Sequence, residues 1–288
     1  TINQVCGSGL QAIIYGVQLI QLGASEICLV GGMENMSQAP HVVRGARWKS
    51  SLGRGEMEDS LWTALIDSYN NMPLGLTAEN LGQKYGVTRE QQDEYALSSH
   101  SNALNAREKG LLAEEITPVM LPDKKENEIE FTNDEHIRKI TLEELAKMKP
   151  AFRTDGGVTP GNSSGIGDGA AALILTSRRK AKELGLLPKA KISSYAVCGV
   201  DPDAMGIGPV PAMKIASHAA SIDVRNFDLY EVNEAYAAQY LVCEKELGLD
   251  RGRVNVNGGA IAIGNPLAAT GARLVLTLIY EMNRRQAR

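Results

Sequence analysis

Histidine is scarce in this chain. Only His41, His100, His136 and His218 occur in 288 residues, so proton-transfer chemistry has few ordinary bases to draw on. Cysteine is equally sparse. Cys6, Cys28, Cys198 and Cys243 show neither metal-ligand spacing nor a secreted disulfide framework. That argues against a metal centre and favours a reducing compartment such as the cytoplasm. No apolar run reaches the length of a membrane span. There is no basic excess either: the net charge is -4, which gives no reason to expect a nucleic-acid partner. The remaining composition, 43% hydrophobic and 22% charged, is that of an ordinary globular protein. The length suits one large domain or two smaller ones.

The chain also lacks an initiating Met. Thr1 stands directly before a loop with catalytic character, and Arg288 closes a charged helical stretch. The sequence therefore reads as an internal piece of a longer protein.

That loop is Asn3-Gln4-Val5-Cys6-Gly7-Ser8-Gly9-Leu10. Leu10, Ile13, Ile14, Val17 and Ile20 follow at helical spacing, and Gly23 is placed to end that helix. Glu26 to Gly32 reads as a short buried strand. Cys6 thus falls at a helix N-terminus, where free N–H groups and the helix dipole favour a thiolate. Gly7 and Gly9 let backbone N–H groups approach a bound carbonyl. The plain alternative is a small cysteine packed in the core.

Residues 34–75 read as irregular, and so as a functional excursion or lid. Helices are expected from Thr77, from the capping box at Thr88-Arg89-Glu90-Gln91, over 179–184 and 212–220, from Asn233 to about Leu247, and over 271–283. Strands are expected over 171–176, 190–197, 227–232 and 254–256. Lys124-Lys125 and Arg138-Lys139 are the basic spots of 113–150, suited to a solvated surface or to a phosphate contact. Two loops rich in small residues, 159–170 and 258–267, bring backbone close to a ligand or to other backbone. The second feeds an apolar helix, as the Cys6 loop does, which is a weak internal echo.

The ordered motifs identify a family. Asn3-Gln4-Val5-Cys6-Gly7-Ser8-Gly9, Gly31-Gly32-Met33-Glu34-Asn35-Met36-Ser37, Thr77-Ala78-Glu79-Asn80, Gly161-Asn162-Ser163-Ser164-Gly165, Asn233-Glu234-Ala235-Tyr236-Ala237-Ala238-Gln239 and Asn255-Val256-Asn257-Gly258-Gly259-Ala260 resemble those of thiolases, most closely the acetyl-CoA acetyltransferase type. The resemblance implies an α/β fold of two duplicated halves in a layered αβαβα arrangement with an inserted loop domain. It assigns 1–35 and 165–186 to an N-terminal half, 36–164 to a loop domain over the active site, and 187–288 to a C-terminal half. It implies a homodimer or homotetramer, coenzyme A thioesters as substrates, and no cofactor. The reaction would be condensation of two acetyl-CoA to acetoacetyl-CoA, or the reverse thiolysis.

Residue by residue, the resemblance makes Cys6 the acyl-accepting nucleophile, with its own N–H in an oxyanion hole. Asn233 would hold a water against the other thioester oxygen, although an Asn before Glu-Ala is also an ordinary helix cap. Ser164 and Gly161 match contacts to the pantetheine arm, Arg138 a contact to the nucleotide end, and Phe152, Met205 and Tyr236 the pocket lining. For the last three, core packing is the rival explanation. The loop Gly264-Asn265-Pro266-Leu267-Ala268-Ala269-Thr270-Gly271 resembles the family's Gly-His-Pro-Leu-Gly-Ala-Ser-Gly, with Asn265 in place of the catalytic histidine. An amide donates a hydrogen bond but accepts no proton at neutral pH. The family's second reactive cysteine would lie beyond Arg288. Impaired turnover is therefore expected, and the alternative is a catalytically dead acyl-CoA-binding or oligomer-building subunit.

Overall fold

A computed structural model describes residues 1–49, 56–122 and 127–287; Lys124 and Lys125 lie outside them. The helices in chain order are α1 (Ser8–Gln21), α2 (Ala46–Lys49), α3 (Ser60–Ala64), α4 (Leu74–Tyr85), α5 (Arg89–Glu108), α6 (Leu142–Ala146), α7 (Arg178–Glu183), α8 (Pro209–Ala220), α9 (Ala237–Leu247), α10 (Ala260–Ile263) and α11 (Leu267–Arg285). The strands are β1 (Ile27–Glu34), β2 (His41–Val43), β3 (Met57–Asp59), β4 (Val119–Pro122), β5 (Glu128–Phe131) and β6 (Gly169–Thr176). They pair antiparallel as β1–β6, β2–β3 and β4–β5.

The β1–β6 ribbon and the helices α1 and α11 form one layered unit. Alternation along β1 turns Cys28 and Val30 toward α1. A Cβ on Gly16 would stand 2.6 Å from Val30 Cγ1, so strand and helix are in close contact there. On the other face Leu29, Met33 and Ile174 stand exposed. The other large core lies around α5 and α9, where the rings of Tyr95 and Tyr240 stack at 4.1 Å between centroids. The Thr88–Gln91 capping box closes the N-terminus of α5 in both directions.

Four sequence expectations change. Residues 190–197 form no strand, because no neighbouring chain among the described residues takes up their backbone groups in a ladder. The expected strands 227–232 and 254–256 reduce to one parallel bridge, Tyr230 with Val254. Asn255 ends that pairing. Its backbone turns into the left-handed region at φ 47°, and its side-chain amide then serves Val232, accepting from Val232 N–H and donating to Val232 O at 2.9 Å each. One amide thus does the work of the next strand pair. α11 begins at Leu267 rather than Gly271, so Gly271 lies inside the helix. Residues 34–75 are not wholly irregular, since β2, β3, α2 and α3 fall there; His41 is exposed in β2.

Candidate active site

Cys6 lies in a tight 3-10 turn, Val5–Gly7, that runs straight into α1. The turn is held from below by Ser8, whose Oγ accepts from Gln4 N–H (2.8 Å) and donates to Val5 O (2.7 Å). Val5 adopts φ 50°, a left-handed conformation that is costly for a β-branched residue. Strain of this kind persists where surrounding contacts over-determine a functional loop.

The thiol itself differs from the sequence expectation. Burial pushes the Cys6 thiol above its ordinary value; the Asn265 amide opposes this, and the Glu34 charge adds to it. Burial thus works against the thiolate that the helix N-terminus favours.

Asn265 follows Gly264, which takes φ 108° and ψ 165°, a backbone conformation open to glycine almost alone. This turn drops the buried Asn265 side chain beside Cys6. Asn265 Nδ2 stands 3.5 Å from Cys6 Sγ and donates to Ser164 Oγ at 3.2 Å. Its Oδ1 accepts from Thr270 Oγ1 at 2.6 Å, and its backbone N–H donates to Gly165 O at 3.0 Å. Cys6, Ser164 and Asn265 thus meet from three distant parts of the chain.

Ser164 is carried by a segment running antiparallel to residues 235–237. Ser163 bridges Tyr236, Ser164 N–H donates to Ala235 O (3.0 Å), and Ala237 N–H donates to Asn162 O (2.9 Å). This pairing holds Tyr236 extended, so α9 starts at Ala237 and Asn233 is not its cap. Asn233 Oδ1 is buried and finds no hydrogen-bond partner within the protein. Tyr236 meets Phe152 edge to face at 6.2 Å, and Phe152 packs so tightly on Gly75 that no Cβ fits there. Burial, with the nearby Cys6, pushes the Tyr236 hydroxyl up to about 12.

Gly161 is buried against Leu145 and Met148, where a Cβ would come within 2.6 Å of either side chain. Met205 lies in the 3-10 segment Pro202–Ile207, packed between α4 and α9. Arg138 is exposed and its charge acts on His136 and His100. Among the described residues no group of three or more His, Cys, Asp or Glu is arranged to hold a metal ion.

Several supporting residues carried no role in the sequence. Glu234 is fully buried and accepts from Tyr95 Oη (2.6 Å), Ser99 Oγ (2.7 Å), Asn255 Nδ2 (2.8 Å) and Ile261 N–H (3.1 Å). Glu79 accepts from Gly157 and Val158 N–H, and Asp93, paired with Arg89, accepts from Asn162 Nδ2. Together they fasten the loop that carries Ser164 to α4 and α5. Ser37 donates twice to Asp168, tying the end of β1 to the loop before β6. The imidazole of His136 rests on Gly165, leaving no room for a Cβ. Burial and Arg138 push its proton affinity down, and burial, Arg138 and His136 push that of His100 to about 4. Acid residues inside the quoted motifs were the available signal for Glu79 and Glu234. His136 left none, since only the fold brings it to Gly165.

The family model for "Thiolase, N-terminal domain" matches residues 1–179, and that for "Thiolase, C-terminal domain" matches residues 186–288. The chain belongs to the thiolase family. An acetyl-CoA acetyltransferase of Pseudomonas aeruginosa is 50% identical over 100% of this chain and 74% of its own length. The crystal structure of the Bacillus anthracis acetyl-CoA acetyltransferase aligns with a TM-score of 0.96 at 48% identity, over 99% of this chain and 73% of that one. Human mitochondrial 3-ketoacyl-CoA thiolase in complex with CoA aligns with a TM-score of 0.96 at 45% identity, over 100% and 72%. The α/β layers described above are therefore those of the thiolase fold. Among the described residues no helix is long and apolar enough to cross a membrane.

Proposed function

We propose that this thiolase-family chain transfers acyl groups between coenzyme A thioesters through an acyl-Cys6 intermediate. The observation that carries the reading is the convergence of Cys6 Sγ, Asn265 Nδ2 and Ser164 Oγ. Cys6 gives its proton to solvent, its sulfur attacks the thioester carbonyl, the carbonyl electrons move to oxygen, and their return breaks the C–S bond to expel CoA as a thiolate that takes up a proton from solvent. The Asn265 N–H and the backbone N–H of Cys6 itself are the donors for the reacting sulfur and oxygen. Asn233, with a buried unpaired Oδ1, is suited to orient a water at the second thioester. Ser164 would meet the pantetheine arm and Arg138 the nucleotide end. The relative solved with CoA supports that substrate class.

Acyl transfer here is slow. Asn265 takes no proton, and loss of one general base costs about 100- to 10,000-fold in rate. Condensation of two acetyl-CoA, a homodimer or homotetramer, a cytoplasmic setting, and a loop domain over 36–164 between two thiolase halves complete the proposal. A second reading, an acyl-CoA-binding subunit without turnover, is favoured by the same Asn265.

Intact-protein mass spectrometry after incubation with acetyl-CoA tests both, with Cys6→Ala as control. One acetyl group dependent on Cys6 supports the acyltransferase. A folded protein that binds CoA and gains no acetyl group supports the binder instead.

A further inference from the structure

Thr270 is wholly buried in the first turn of α11, and its Oγ1 donates to Asn265 Oδ1 at 2.6 Å. A side-chain amide has one accepting and one donating end, exchanged by a half-turn about its last bond. Here the donating end faces Cys6 Sγ and Ser164 Oγ. We propose that Thr270 is the positioning residue that holds the Asn265 amide with its N–H toward Cys6, so that the sulfur meets a donor when it loses its proton.

The chemistry of the three partners makes this orientation matter. Cys6 as thiolate or thioester offers only acceptors. A turned amide would set oxygen lone pairs against it. Asn265 is buried, so an Oδ1 that loses the Thr270 hydroxyl has no ready substitute except the hydroxyl of Ser164. Reaching that hydroxyl with oxygen means withdrawing the N–H from both Ser164 and Cys6. An unpaired buried acceptor carries its full desolvation cost, which favours such a turn. Thr270 therefore acts on the sulfur through Asn265 without touching it.

The proposal rests on Cys6 being the reacting atom, and its test needs no acyl-CoA. Alkylation of Cys6 by iodoacetamide is followed across pH in Thr270→Val, Thr270→Ala and Thr270→Ser, with Cys6→Ala subtracting the other cysteines. The expected result is an alkylation midpoint about one pH unit higher in Thr270→Val and about tenfold slower reaction at neutral pH. Thr270→Ala should match it, which covers the case in which Val disturbs the fold. Thr270→Ser should keep the wild-type profile. In an Asn265→Ala background, Thr270→Ala should produce no further shift. Superposed profiles for Thr270→Ala and wild type, or a full shift in the Asn265→Ala background, would overturn the role. A wild-type protein that alkylates normally but never acylates sinks the acyl-transfer reading and leaves this one standing.

Discussion

Gly9 and Gly271 meet backbone to backbone where α1 crosses α11. A Cβ on Gly271 would stand 2.4 Å from Leu10 N, and one on Gly9 would stand 2.6 Å from Ala272 N. The crossing fixes how far apart the Cys6 turn and the Asn265 turn can be, since each sits within a few residues of it. Gly271→Ala forces the helices apart against rigid main chain, not against a flexible side-chain tip. The expected loss is about 1–3 kcal/mol of stability, read as a lower urea midpoint with an unchanged slope. Asn265 should also move from Cys6, so alkylation of Cys6 should change in the same variant.

Glu234 is the second keystone of the site. Its carboxylate is the common acceptor for α5, α10 and the turn at Asn255. Glu234→Gln keeps the shape but turns one acceptor oxygen into a donor that faces donors. Hydrogen bonds to a charged group are worth about 1.5–3 kcal/mol each, so the expected destabilisation is at least about 2 kcal/mol. Chemical denaturation monitored by circular dichroism measures it. A stability equal to wild type would mean that these four bonds do not hold the fold together.

Much of this was legible from local pattern. The capping box at Thr88 and Gln91, the glycine stop after α1, and the strand expected over 171–176 are all local signals, and each formed as read. Small residues around Cys6 announced close backbone approach, whereas Asn265 was singled out only by the resemblance of its loop to that of thiolases. The failures share one cause. Residues 190–197 have strand composition, but a ladder depends on a neighbour the sequence does not name. A helix was expected to open at Asn233, yet pairing with the distant segment 162–164 delays α9 to Ala237. At Cys6, burial by remote residues works against the thiolate expected from its helix position.

Stability should fall as pH rises through neutrality. Burial pushes the Glu231 carboxyl up to about 8, with Arg273 opposing, and pushes Glu115 up to about 7, with Thr277 and Arg273 opposing. Each binds its proton more tightly folded than unfolded. Each penalty is thus absent below the unfolded value of 4.5 and complete above the folded one. His100 and His136 act oppositely, because their lowered values cost stability only as pH falls below 6.5. Between about pH 6.5 and about pH 8 the two acids therefore act without the histidines. The urea midpoint should decline across that window. Glu231→Gln should flatten most of the decline, and an equally steep fall in that variant would assign it elsewhere.

Asn265→His is the most direct test of the chemistry. The amide of Asn265 can steady sulfur at 3.5 Å but cannot remove its proton. An imidazole at the same position supplies a base whose ordinary value lies near neutrality. Acetylation of Cys6 by acetyl-CoA should then accelerate by about 100-fold or more, with a rate that follows imidazole ionisation rather than rising steadily with hydroxide. Asn265→Ala should do the reverse, because it removes the donor that holds the thiol down against burial. Its alkylation midpoint should rise above that of wild type. Stopped-flow acylation and pH-dependent alkylation separate the two effects: a base speeds attack, whereas a donor only lowers the thiol. If Asn265→His leaves acetylation as slow as in wild type while still alkylating normally, the limit lies in binding the thioester and not in the missing base.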